Sequence, residues 1–74
     1  MGYLKDQEFI EKFGKQLKKV REGKGVSQEV LSLRCNISQS QIARTELGYV
    51  NTSISHVNAY AKALEIEVKS LFEF

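Results

Sequence analysis

An all-α fold, a compact bundle of five short helices, follows from three features of this sequence. Apolar residues recur at three- and four-residue spacing. Hydroxyl side chains stand where helices should begin, and there is no proline anywhere in the chain to break one. No segment reads as a strand.

The first helix is carried by the stripe Ile10, Phe13, Leu17 and Val20, spaced +3, +4, +3. Asp6, Glu8 and Glu11 favour its N-terminal turn through the helix dipole, and Gly23 and Gly25 end it. Lys12, Lys15 and Lys19 point away from the stripe, whereas Arg21 falls beside Ile10 and Leu17. A charge on an apolar face requires a partner. Ser27 caps a second helix over residues 28–35, with Val30 and Leu31 apolar. Asn36 follows where the chain must turn, and asparagine tolerates the left-handed conformation. Ile37 re-enters the core.

Ser38 caps a third helix over residues 39–47, and Ser38-Gln39-Ser40-Gln41 fits the capping-box pattern. Gly48 ends it. Thr52 or Ser53 caps a fourth helix whose stripe is Ile54, Val57, Ala61 and Leu64. A last short turn carries Val68, Leu71 and Phe72. With 74 residues and no linker or repeat, residues 1–74 form one domain, which excludes a large enzyme with a separate substrate domain.

Composition narrows the function classes. With 42% apolar and 27% charged residues the chain is ordinary for a soluble protein, and no apolar run approaches the ~20 residues of a membrane span. The N-terminus lacks a signal-peptide core, and Lys5 and Asp6 follow Met1 and Gly2 where a myristoylation pattern wants serine or threonine. The single cysteine, Cys35, suits a reducing compartment, so the expected location is cytoplasmic, with the nucleoid. The net charge of +2 conceals a basic middle: residues 12–44 carry +6 between ends of −2 each. Such a segment fits a nucleic-acid footprint, and a solvated lysine-rich helix face fits it equally.

Enzyme chemistry fails on inventory. His56 is the only histidine and Cys35 the only cysteine, so there is no zinc set and no activated nucleophile; no metal, cofactor or small-molecule ligand is expected. His56 reads as a partly exposed helix residue and Cys35 as a small buried packer. Gly23-Lys24-Gly25-Val26-Ser27 lacks the remaining glycines of a phosphate loop and follows a helix, not a strand.

The informative feature is the pair of short helices around the turn at Asn36. In helix-turn-helix proteins the second such helix enters the major groove with its N-terminal residues at the base edges. Here those residues are Gln39, Ser40 and Gln41, with Arg44 one turn on. Glutamine can pair with adenine and arginine with guanine, each through two hydrogen bonds. A solvated helix face is the simpler alternative, and Gln41 has a local role in the capping box.

At this point residues 13–72 resemble the phage-repressor and Cro type of helix-turn-helix domain, the XRE family. The resemblance runs through Phe13-Gly14, Leu17-Lys18-Lys19-Val20-Arg21, Gly25-Val26-Ser27-Gln28-Glu29-Val30-Leu31 and Asn36-Ile37-Ser38, then Ile42-Ala43-Arg44-Thr45-Glu46-Leu47-Gly48 and Ala61-Lys62-Ala63-Leu64. It implies a sequence-specific, usually dimeric regulator of transcription that binds double-stranded DNA. It also implies that Ser38, Gln39, Ser40 and Arg44 contact bases and that Gln28 contacts a phosphate while bracing the reader helix. Lys15, Lys19 and Tyr49 are taken as further phosphate contacts. By the same resemblance Arg21 pairs with Glu46 and is structural.

Four positions depart from the family pattern: Ser32 where alanine is usual, Asn36 for the turn glycine, Thr45 for a larger aliphatic, and Leu47 for arginine or asparagine. The last bears on one phosphate contact at that corner. In size the chain is similar to stand-alone regulators such as restriction–modification controllers, small phage repressors and some antitoxins. A homodimer on a two-fold site is expected, with Val68, Leu71, Phe72 and Phe74 at the interface. The competing class is an antitoxin-like module whose main role is to bind a protein partner.

Overall fold

The computed structural model describes residues 5–74; the lipidation and signal readings on Met1 and Gly2 lie outside them. Four α-helices follow in order: α1 (Gln7–Gly23), α2 (Gln28–Cys35), α3 (Gln39–Glu46) and α4 (Ile54–Leu64). A 3-10 helix over Val68–Phe72 stands where the fifth helix was expected. There is no strand among the described residues.

All four α-helices start in the same way. Asp6, Ser27, Ser38 and Ser53 each accept a hydrogen bond at 3.1 Å from the backbone N–H three residues on, satisfying one donor the helix cannot pair. Of the two residues considered for the α4 cap, Ser53 fills the role. Asn36 closes α2 in the left-handed region at φ 58°, which turns the chain out of the helix before α3. Glu65 takes the same conformation at the end of α4, φ 57°, where no glycine or asparagine signals it.

The core joins all five elements: Leu17 of α1, Leu31 of α2, Ile42 of α3, Tyr60 and Leu64 of α4 and Leu71 of the 3-10 helix are fully buried. Two expectations fail here. Ile54 is 88% exposed, so the buried stripe of α4 is Val57, Tyr60, Ala61 and Leu64. The stripe spacing misses this because Ile54 is the first residue of α4, and periodicity does not say whether another element covers the first turn. Leu71 belongs to the protomer's own core and cannot line an interface, while Val68, Phe72 and Phe74 remain exposed.

Candidate nucleic-acid interface

The position of α3 is set from behind by α1. Gln7, Gly14 and Arg21 lie seven residues apart and so share one meridian of α1. Each meets the C-terminal end of α3. Gln7 Nε2 donates to the Gly48 carbonyl at 2.8 Å. At Gly14 the two backbones approach so closely that a Cβ would lie 2.3 Å from the Thr45 carbonyl oxygen. Arg21 Nε donates to Glu46 Oε2 at 2.7 Å and its Nη2 to Oε1 at 2.9 Å, with both side chains buried.

The same guanidinium donates through Nη1 to the Val26 carbonyl at 2.9 Å, and Gln28 Nε2 donates to Glu46 Oε1 at 2.9 Å. The Arg21–Glu46 pair therefore ties α1, the α1–α2 turn and the start of α2 to the end of α3. The hydrogen bonds to Glu46 raise the pKa of Arg21 above its ordinary value against the opposing effect of burial, so the guanidinium stays charged.

α3 itself presents two faces. Ile42, Thr45 and Glu46 are buried, and the Thr45 hydroxyl donates to the Gln41 carbonyl at 2.8 Å. Gln39, Ser40 and Arg44 are exposed on the other side, and none of their side chains makes a bond within the described chain. Ser38 is exposed too; its Oγ accepts the Gln41 N–H, which leaves its hydroxyl hydrogen and one lone pair for a ligand. Gln41 is half-buried at the side of the helix. The helix ends at Glu46, one residue short of the expected boundary; Leu47 caps it in helical conformation, and Gly48 turns the chain at φ +80°. Leu47 and Tyr49 stand exposed at that corner.

The basic segment does not form one surface. Arg21 is buried, Arg34 donates to the Ala63 carbonyl at 3.3 Å, and Lys12 pairs with Glu8 at 3.9 Å. Lys15, Lys18 and Lys19 are exposed and unpaired among the described residues. At ~100° per residue, Lys18 lies roughly 40° from the Gly14 meridian that faces α3, Lys15 about 100° and Lys19 about 140°. Lys18 is therefore the lysine nearest the α3 side, and charge counting along the sequence had no means of separating it from its neighbours. The outward face of α3 thus offers amide, hydroxyl and guanidinium donors, supported from behind by a buried ion pair.

Comparison with known proteins agrees with this geometry. The helix-turn-helix family model HTH_3 matches residues 17–71, well over half of the chain. The chain belongs to the helix-turn-helix family. It is 32% identical over 63 residues to the control protein C.BamHI of Bacillus amyloliquefaciens, a match covering 84% of this chain and 78% of that protein. Its structure is similar to that of the restriction–modification controller protein C.AhdI from Aeromonas hydrophila, with a TM-score of 0.83 and 36% identity over 85% of this chain and 96% of the other. It is also similar to the controller protein C.Esp1396I, solved as a tetramer with its natural 35 base-pair operator. That match has a TM-score of 0.84 and 28% identity, and covers 92% of this chain and 90% of that one. No described helix is long and apolar enough to cross a membrane.

Proposed function

We propose that this chain is a DNA-binding transcription regulator of the controller type, which inserts α3 into the major groove and acts as a homodimer on a two-fold site. The observation that carries the reading is the outward face of α3. Gln39, Ser40 and Arg44 project from a helix held rigidly at its other end, with donors that find no partner inside the chain. In the major groove, glutamine and arginine match adenine and guanine edges. Ser38 retains a free hydrogen for the same surface. Gln28, Lys15, Lys19 and Tyr49 serve the phosphates, with Lys18 added on geometric grounds.

The relatives support the reading, since they are controller proteins and one of them was solved on its operator. One short helix reads few base pairs, so two copies about 34–36 Å apart, one helical turn, give the specificity a regulator needs. Selection from random duplexes tests this. The expected result is an inverted repeat with that spacing. Binding that is independent of sequence, or a single unrepeated site, would refute it.

A further inference from the structure

The outward surface of α3 does not stop at Arg44. The Leu47 N–H donates to the Ala43 carbonyl at 3.1 Å and its backbone is still helical, so its side chain continues the helical count. At ~100° per residue, Arg44 lies about 40° to one side of Ser40 and Leu47 about 20° to the other, while the buried Ile42, Thr45 and Glu46 occupy the opposite arc. Gln39 stands roughly 100° from Ser40. Leu47 therefore shares the centre of the outward face with Ser40 and Arg44, and it is 62% exposed. We propose that Leu47 determines specificity, its methyl groups packing on the C5-methyl of a thymine beside the base pair that Arg44 reads. The proposal rests on the major-groove reading of α3 above and deepens it.

The chemistry of the position selects this partner. A duplex offers a side chain phosphate oxygens, polar base edges and, in the major groove, one apolar group, the thymine methyl. Leucine has no donor for the first two and matches the third. Single exposed leucines are ordinary on protein surfaces, but this one sits on a fixed corner. The Gly48 N–H donates to the Thr45 carbonyl at 3.1 Å and the Tyr49 N–H to the Arg44 carbonyl at 2.9 Å. Gln7 of α1 holds the Gly48 carbonyl at 2.8 Å, and a Cβ on Gly48 would lie 2.6 Å from Glu11 Cγ, so the corner is pressed against α1. A contact made from such a corner costs little ordering on binding. At a rise of about 1.5 Å per residue Leu47 lies about 4.5 Å beyond Arg44, less than two base-pair steps of ~3.4 Å. The thymine should accordingly lie within two base pairs of the pair that Arg44 reads. Leu33 on α2 and Ile54 on α4 are more exposed still, but neither lies on α3.

A thymine-to-deoxyuridine scan of the operator selected from random duplexes tests this, because uracil keeps the O4 acceptor and lacks only the methyl. The scan is run on wild type, Leu47→Ala and Arg44→Ala, with far-UV circular dichroism of each variant. Wild type is expected to bind about fourfold more weakly per half-site when that one methyl is removed. Leu47→Ala should stay folded and bind the thymine and uracil operators alike, whereas Arg44→Ala should lose its own base preference and keep the methyl dependence. No methyl dependence within two base pairs of the Arg44 position, or one that survives Leu47→Ala, would overturn the role of Leu47 and leave α3 as the reader. Equal weakening of every duplex by Leu47→Ala would overturn it too and make Leu47 a backbone contact. A selection that yields no preferred sequence would overturn both readings.

Discussion

Arg21 and Glu46, 25 positions apart, form a buried bidentate ion pair that also receives Gln28 and reaches the Val26 carbonyl. The pair joins the helix that supports α3 to the last residue of α3 itself. Its worth lies in position more than in net energy, because a buried pair recovers little beyond its own desolvation. Removing one partner is another matter, since the survivor is then a buried charge without compensation.

Arg21→Ala is therefore expected to cost about 3–5 kcal/mol, which is most of the stability of a domain this size. Thermal denaturation checks it. A variant that melts like wild type yet no longer binds DNA would make Arg21 a contact residue instead.

Gly14→Ala tests the contact between α1 and α3. Its Cβ would meet the Thr45 carbonyl at 2.3 Å and the Glu46 carbonyl at 2.8 Å, backbone atoms with no flexible end to give way. The helices must separate, at a cost of about 1–3 kcal/mol, and operator affinity should fall with the melting temperature. Unchanged stability and affinity would show that the approach of the two helices is loose.

Tyr60 is fully buried at the centre of the core, and its hydroxyl makes no hydrogen bond of good geometry: the nearby Thr45 hydroxyl, which lowers the Tyr60 pKa a little, spends its own hydrogen on the Gln41 carbonyl. An unsatisfied buried hydroxyl costs about 1–3 kcal/mol, so Tyr60→Phe should leave the protein as stable as wild type or more so. Burial also pushes the Tyr60 pKa above its ordinary 10.0. A pKa raised by folding favours the protonated form in the folded state, so this contribution is complete below pH 10 and is lost as pH rises past it. Chemical denaturation between pH 8 and 11 should show wild type losing stability faster than Tyr60→Phe. Parallel curves would contradict the assignment.

Lys15, Lys18 and Lys19 separate affinity from specificity. Each lysine that touches a phosphate should, on replacement by alanine, weaken all sequences alike and reduce the slope of log K against log salt by about 1. From the helical angles, Lys18→Ala should have the largest effect and Lys19→Ala the smallest. Binding titrations between 50 and 200 mM salt decide the order.

Most of the architecture is legible in the sequence because it rests on local physics. Stripes at helical spacing, serines at three of the four α-helix starts and Asn36 at the turn are each decided within a few residues. What is not legible depends on which element covers which. Ile54 fits the α4 stripe by spacing and still faces solvent, and Leu71 looks like surface in a crowded C-terminal run and yet fills the core. Gln7 carries no pattern of its own, and Gly14 stands out only within the family resemblance; what either does appears once α3 is packed against them. A charge on the apolar side of α1 signals that Arg21 needs a partner, but no spacing rule points from residue 21 to residue 46.

The central claim is that the outward face of α3 reads bases, and Arg44→Ala measured against the selected operator and its single-base variants tests it most directly. Arg44 is exposed and unpaired within the described chain, so its loss should leave the fold intact. The expected result is a loss of about 1–3 kcal/mol on the operator, with discrimination relaxed at one base pair per half-site and non-specific binding nearly unchanged. Equal weakening of specific and non-specific binding would contradict it and make Arg44 a phosphate contact.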